Sequence, residues 1–279
     1  MQKGLRLPAR EKKPRSKGIT HVLDKGLGVR AIEDLLETCK ESIDIVKLGW
    51  GTALVTENLK TKIALYRHYD IPVTFGGTLF EVFLAQDRLD DYLRLLDEYD
   101  IKHVEISNGV IDLSLEEKVA LIRRLSKNFT VISEVGSKDV NVVMAPYKWV
   151  EQIKAELKAG AWKVITEGRE SGTVGVYRET GEIRTGLIDE IISQVRPDDI
   201  VFEAPNKKQQ VWFIEQFGSD VNLGNIAPSE VIALETLRLG LRGDTLARFH
   251  AHGKKVSSAS SKKHPGAHHE QGALAKKTL

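Results

Sequence analysis

Residues 131–139, VISEVGSKD, set an apolar run that belongs in a core against a carboxylate, Glu134, with a cation, Lys138, close behind it. Burying an unpaired carboxylate is costly, so such a run either ends where a site opens or gives Glu134 a private partner. The pattern recurs. HVEIS carries Glu105, ITEGR carries Glu167 and FEAPN carries Glu203, each near the end of an apolar run.

Outward from these runs, strand-like and helix-like periodicities alternate. GITHVLDKG precedes GVRAIEDLLETCKESI, and DIVKLGWG precedes TENLKTKIALYRHYD, for which Thr56 is the expected cap. PVTFGGT precedes residues 79–100, which read as one helix. Ser114 and Glu117 form a capping box, Gly160 suits a helix C′ position, and Ser229 and Glu230 open the last helix. Eight strand–helix units in about 230 residues predict an α/β fold, a single-domain (β/α)8 TIM barrel. A doubly wound open sheet is the alternative, but no G-x-G-x-x-G follows the first strand.

The net charge of +2 conceals an asymmetry. Residues 1–17 hold seven Lys/Arg and one Glu, and residues 250–279 hold six Lys and one Glu, so the body between them is acidic. The expected organisation is a basic N-terminal arm over 1–17, packed loosely or across a subunit contact, then a barrel over 18–249. The 250–279 segment reads as a disordered tail rich in His and Lys. An acidic body argues against a nucleic-acid partner. No apolar run reaches the length of a membrane span and no secretory signal is present. One cysteine, Cys39, excludes an intramolecular disulfide and fits a cytoplasmic protein. The oligomeric state is left open between a lone barrel and a homo-oligomer.

In a barrel, the C-terminal strand ends share one mouth, where active sites lie. Glu105, Glu134, Glu167 and Glu203 would converge there with Lys25, Lys47, Arg169, Asn206, Lys207 and Asn225, which sit in or just after their strands. A glutamate in such a ring either binds a ligand or merely holds a lysine, and Glu203 is the weakest ligand candidate. The glycines of GWG, GGT and the Gly172–Gly175 loop suit close backbone approach to an anion. The acidic ring suits Mg2+, while no His/Cys cluster suggests zinc.

The linked stretches VKLGWGTALVTENLKTKI, FGGTLFEVFLAQ, VEISNG, SEVGSKD, KVITEGRESG, IVFEAPNK and IALETLRLGLRGDT resemble the phosphosulfolactate synthases, from about Pro8 to Phe249. The resemblance implies a (β/α)8 barrel that adds sulfite to phosphoenolpyruvate with Mg2+, giving (2R)-phospho-3-sulfolactate for coenzyme M or sulfolactate formation. On that reading, Lys138 is the candidate general acid toward C2 and Glu134 acts beside it. Glu105, Glu134 and Glu167 are the candidate metal ligands. Lys25, Lys47, Arg169 and Lys207 neutralise the anionic substrates, and the phosphate lies near Asn206, Asn225 and the helix start at Ser229. Plant heat-stress-associated proteins resemble the same family, so a non-catalytic stress role is the alternative.

Overall fold

The computed structural model describes residues 4–138 and 144–250. The reading of a disordered tail therefore lies outside the described residues from position 251 onward. Eight parallel strands pair in sequence order and close into a barrel, the (β/α)8 architecture expected from the alternation. They are β1 (Thr20–Asp24), β2 (Ile45–Leu48), β3 (Val73–Phe75), β4 (His103–Ile106), β5 (Thr130–Val135), β6 (Lys163–Thr166), β7 (Ile200–Glu203) and β8 (Leu223–Ile226). The β1–β8 seam closes with a register shift between Thr20 and Val22.

The helices are α1 (Val29–Cys39), α2 (Thr52–Val55), α3 (Leu59–His68), α4 (Gly77–Leu84), α5 (Leu89–Glu98), α6 (Leu115–Leu125), α7 (Pro146–Ala159), α8 (Thr185–Gln194), α9 (Lys207–Phe217), α10 (Val231–Arg238) and α11 (Gly243–His250). None is long and apolar enough to cross a membrane. The Ser114–Glu117 capping box forms as expected at the start of α6, and Gly160 ends α7 with φ of 116°.

Four local expectations fail. Residues 79–100 form two helices, broken where Asp87 takes φ of 56°. One straight helix of that length would run about 33 Å and overshoot the short strands it must cover. Thr56 does not cap α3; its hydroxyl donates to Thr52 O and closes the short α2 instead. Ser229 lies in a 3₁₀ turn, Pro228–Glu230, ahead of α10 and caps nothing with its side chain. His250 belongs to α11, with its ring 3.1 Å from Leu239 O, and not to the tail.

Side-chain alternation positions the site. On the inward face, Ile45 is followed two residues later by Lys47, Ile132 by Glu134, Ile165 by Glu167 and Val201 by Glu203. Ile19, Ile45, Ile132, Ile165 and Val201 pack together as the apolar lower interior, and the charged residues form the layer above. The main core fills the space between strands and helices.

The N-terminal arm does not pack loosely. Arg10 hydrogen-bonds Glu235, Asp220 and the carbonyls of Gly18 and Ser219, while Arg15 pairs with Asp44 at 2.9 Å. These contacts tie the arm across the N-terminal end of its own barrel.

Candidate active site

Above the apolar layer lies a cavity of ≈ 270 Å³ whose lining includes Lys47, Glu105, Glu134, Lys138, Glu167, Arg169, Glu203 and Asn225. Lys47, at the end of β2, donates to Glu203 at 3.1 Å and lies 3.4 Å from Glu105 Oε2. Glu105 Oε1 accepts the Gly77 N–H at 2.6 Å, and Glu203 Oε2 accepts that of Gly168 at 2.8 Å. Across the ring, Lys138 Nζ lies 3.1 Å from both Glu81 Oε1 and Glu134 Oε1, and 4.0 Å from Glu167 Oε2. Glu167 Oε1 accepts the Arg169 N–H at 2.7 Å.

These groups titrate far from their ordinary ranges. Burial alone would raise Glu134, but Lys138 and Lys47 outweigh it and bring its pKa down to about 2. Burial, with Glu134 and Glu203 beside it, pushes Glu167 well up. The two carboxylates are thus driven apart, Glu134 toward the ionised form and Glu167 toward the protonated one. Burial also raises Glu105, to about 7 against the pull of Lys47, and raises Glu203. Burial disfavours the charges of Lys47 and Lys138, yet the surrounding glutamates prevail and raise both.

Three non-glycine residues at the mouth hold left-handed backbone: Trp50 with φ of 52°, and Arg169 and Asn225 with φ of 55°. All three line the cavity. Such conformations cost of order 1–3 kcal/mol and persist where the surroundings enforce them, commonly at sites. At Gly175, φ is 62° and an added Cβ would drive into the main chain of Glu167. Gly175 thus packs under Glu167, while Gly172 of the same loop packs against Gln209 and Asn206.

The structure brings together Lys47, Glu105, Glu134, Lys138, Glu167, Arg169 and Asn225 of the expected set, with Glu203. Lys25 is exposed on the β1–α1 loop, 5.9 Å from the Trp50 ring centroid, outside the cavity lining. Asn206, Lys207 and Ser229 are not brought in. Asn206 caps α9 and donates to Ser171 O, Lys207 pairs with Asp244 at 2.9 Å, and Ser229 is exposed. Each lies close behind its strand in sequence, yet its direction is set by the helix that follows. Glu81 was missed because it comes from a helix, α4. Its signal is a carboxylate set in the apolar run Leu79–Phe83, and it is 1% exposed.

The expected ligand trio does not gather. Among the described residues, no three His, Cys, Asp or Glu side chains are arranged to hold a metal ion. Glu105, on the strand next to that of Glu134, is committed to Lys47 and the Gly77 amide. Glu167 Oε2 is nonetheless buried without a hydrogen-bond donor, as is Asn225 Oδ1, while Glu134 Oε1 has Lys138 Nζ at 3.1 Å. Such a donor set suits a hard cation that takes one or two carboxylates and fills its remaining positions with water and substrate oxygens.

The family model described as (2R)-phospho-3-sulfolactate synthase (ComA) matches residues 8–244. The phosphosulfolactate synthase of Bacillus subtilis (strain 168) is 43% identical over 244 residues, covering 86% of this chain and 97% of that protein. The phosphosulfolactate synthase of Methanocaldococcus jannaschii is 44% identical over 238 residues, covering 83% and 95%. The Arabidopsis thaliana protein Heat-stress-associated 32 is 23% identical over 261 residues, covering 82% and 88%. Among solved structures, 3-hexulose-6-phosphate synthase from Salmonella typhimurium aligns with a TM-score of 0.52 at 14% identity, over 78% of this chain and 97% of that one. That likeness speaks to the barrel alone.

Proposed function

The chain belongs to the (2R)-phospho-3-sulfolactate synthase family of carbon–sulfur bond-forming lyases, and on that premise we propose that it adds sulfite to phosphoenolpyruvate with the help of Mg2+. The observation that carries this reading is the charge balance of the mouth. Glu105, Glu134, Glu167, Glu170 and Glu203 line the cavity against Lys47, Lys138 and Arg169. Two polyanions settle among these carboxylates most readily where a divalent cation joins them, and its charge would also draw Glu105, Glu167 and Glu203 back toward the ionised form. Glu134 and Glu167 would hold it, since both line the cavity and Glu167 Oε2 has no donor there. Bound there, Mg2+ supplies Lewis-acid stabilisation of the charge that builds on the substrate carboxylate.

The protein's own residues do the rest. Sulfite attacks the methylene carbon through sulfur, the double-bond electrons move toward C2 and the carboxylate, and C2 takes a proton. Lys138 is the acid: its glutamate partners keep it charged, so the proton stays in place until C2 becomes electron-rich. Arg169 has no side-chain partner among the described contacts and is available to hold the phosphate, with Asn225 beside it. Lys47, fixed between Glu105 and Glu203, neutralises the second anion.

The test is sulfite-dependent consumption of phosphoenolpyruvate by the purified protein, with and without Mg2+. Consumption that needs both supports the reading, and no consumption under any divalent cation rejects it. The stress-associated alternative has its footing in a relative at 23% identity, well below the 43–44% of the synthases.

A further inference from the structure

We propose that the β4–α6 loop is a clamp that positions Lys138, with Glu81, Lys118 and Gly109 as its working parts; the proposal rests on the reading of Lys138 as the reacting cation. Neither Glu81 nor Lys118 lines the cavity, and both are 1% exposed. They are positioning residues.

The loop is held from two sides. From α4, Glu81 accepts the Ser107 hydroxyl and the N–H groups of Gly109 at 3.3 Å and Val110 at 2.8 Å. The same carboxylate then accepts Lys138 Nζ at 3.1 Å. From α6, Lys118 reaches under the end of β5, pairs with Glu156 of α7 at 2.8 Å and donates to Asn108 Oδ1 at 3.1 Å. Its third partner is the main-chain carbonyl of Glu134 at 2.5 Å. One buried ammonium therefore fastens the loop to the strand that presents Glu134.

The loop in turn holds Lys138 along its whole length. The Lys138 N–H donates to Gly109 O at 3.3 Å. A Cβ at Gly109 would come within 2.9 Å of both Cγ and Cδ of Lys138, so the missing side chain leaves the groove in which the lysine stem lies. Main chain, stem and ammonium are each fixed by the loop or by the residue that fixes the loop. A fully buried ion pair such as Lys118–Glu156 stabilises a fold little better than apolar side chains of the same volume. Its directed third hydrogen bond, onto Glu134, is what an apolar pair could not supply.

The experiment compares Lys118→Met/Glu156→Leu, Gly109→Ala and Lys138→Met with wild type, using steady-state kinetics in phosphoenolpyruvate and sulfite with Mg2+, and thermal melting. The double variant removes both buried charges together and should keep the melting temperature and the KM for phosphoenolpyruvate. Its kcat should fall about 10- to 100-fold, because a slightly misplaced reacting group forfeits that much rate. Gly109→Ala should show the same split, which carries the test if the double variant fails to fold. Wild-type kcat in a folded clamp variant, with Lys138→Met inactive, overturns the clamp. A fall in kcat matched by a rise in KM and a lower melting temperature overturns it too, since that is the pattern of general loosening. Full activity in Lys138→Met would instead overturn the underlying assignment of Lys138.

Discussion

At the N-terminal end of the barrel, Arg10 spends its guanidinium on Glu235, Asp220 and two carbonyls, and fully buried Arg238 donates to the carbonyls of Ile19, Ser219 and Val221. Asn222 joins the same end through Ile19 N and the carbonyls of Asp198 and Ile200. At the C-terminal end, Lys47 and Lys138 are buried almost as deeply, but the carboxylates around them outnumber them and the group opens on a cavity. Buried charge is thus common to both ends. What separates them is whether the charged groups line a cavity or are spent on partners within the fold. The floor uses its charges to join the arm, α10 and two strands. The mouth crowds carboxylates around two lysines and leaves Glu167 Oε2 without a donor, an arrangement held at some expense of stability and kept where chemistry needs it.

The comparison makes opposite predictions for the two ends: at the mouth, substitution should reduce rate and leave stability; at the floor, the reverse. The largest effect is expected at Lys138. Arginine preserves the charge but spreads it over a planar guanidinium, which cannot set a single ammonium proton at C2. Lys138→Arg should bind phosphoenolpyruvate nearly normally and turn over at least about a hundredfold more slowly, within the range that general acid assistance supplies. Steady-state kinetics beside Lys47→Arg decides it. Near-normal turnover in the first variant and collapse in the second would move the acid role to Lys47.

The floor should answer in melting temperature. Arg10→Ala leaves Glu235 and Asp220 without their shared cation, and both carboxylates are partly exposed, which moderates the loss. A destabilisation of about 2–3 kcal/mol is expected, or roughly 4–10 °C in melting temperature for a chain of this size. The kcat and KM should not change. Reduced kcat in this variant would break the division between the ends.

A smaller effect lies in the pH dependence of stability. Burial raises Glu105 to about 7 from an ordinary 4.5. The unfolded chain then releases this proton first as pH rises, so Glu105 contributes a destabilisation that grows from pH 4.5 and is complete above about 7. Glu105→Gln removes the group. The melting temperature of wild type relative to the variant should fall as pH rises through that window. A relative melting temperature that climbs instead would show that Lys47 holds Glu105 ionised, as Lys138 holds Glu134.

The charged layer of the mouth was legible because strands alternate. Once Ile132 faces inward, so does Glu134, and the same step of two carries Ile165 to Glu167 and Val201 to Glu203. The rule ends where the strand ends. Lys25 directly follows Asp24, whose side chain turns outward to Lys62 at 2.8 Å and the Tyr66 hydroxyl, and Lys25 itself lies exposed. Asn206 and Lys207 already obey the helix that they begin. Glu81 and Lys118 were out of reach for a related reason. Both come from helices, and both act on main-chain and side-chain groups of a loop whose path no periodicity encodes.

Ser114 sharpens the comparison most finely, because it separates position from chemistry. It begins α6 on the mouth side of the barrel, a few residues from Val110 of the cavity wall. Its hydroxyl accepts the Glu117 N–H while the Glu117 carboxylate reaches back to the Ser114 N–H, so two free helix-end donors are satisfied. Ser114 is solvent-exposed, and none of these groups faces the cavity. Replacing such a cap by alanine typically costs about 1 kcal/mol. If location on the mouth side were enough to make a residue matter for rate, Ser114→Ala would slow turnover. If unsatisfied, cavity-facing charge is the criterion, the variant should melt roughly 2–4 °C lower, with kcat and KM for both substrates unchanged. Melting curves and kinetics on the same preparation give both numbers. A loss of kcat without a change in melting would show that the α6 start is part of the reacting apparatus, and that the mouth extends further along this loop than its charges indicate.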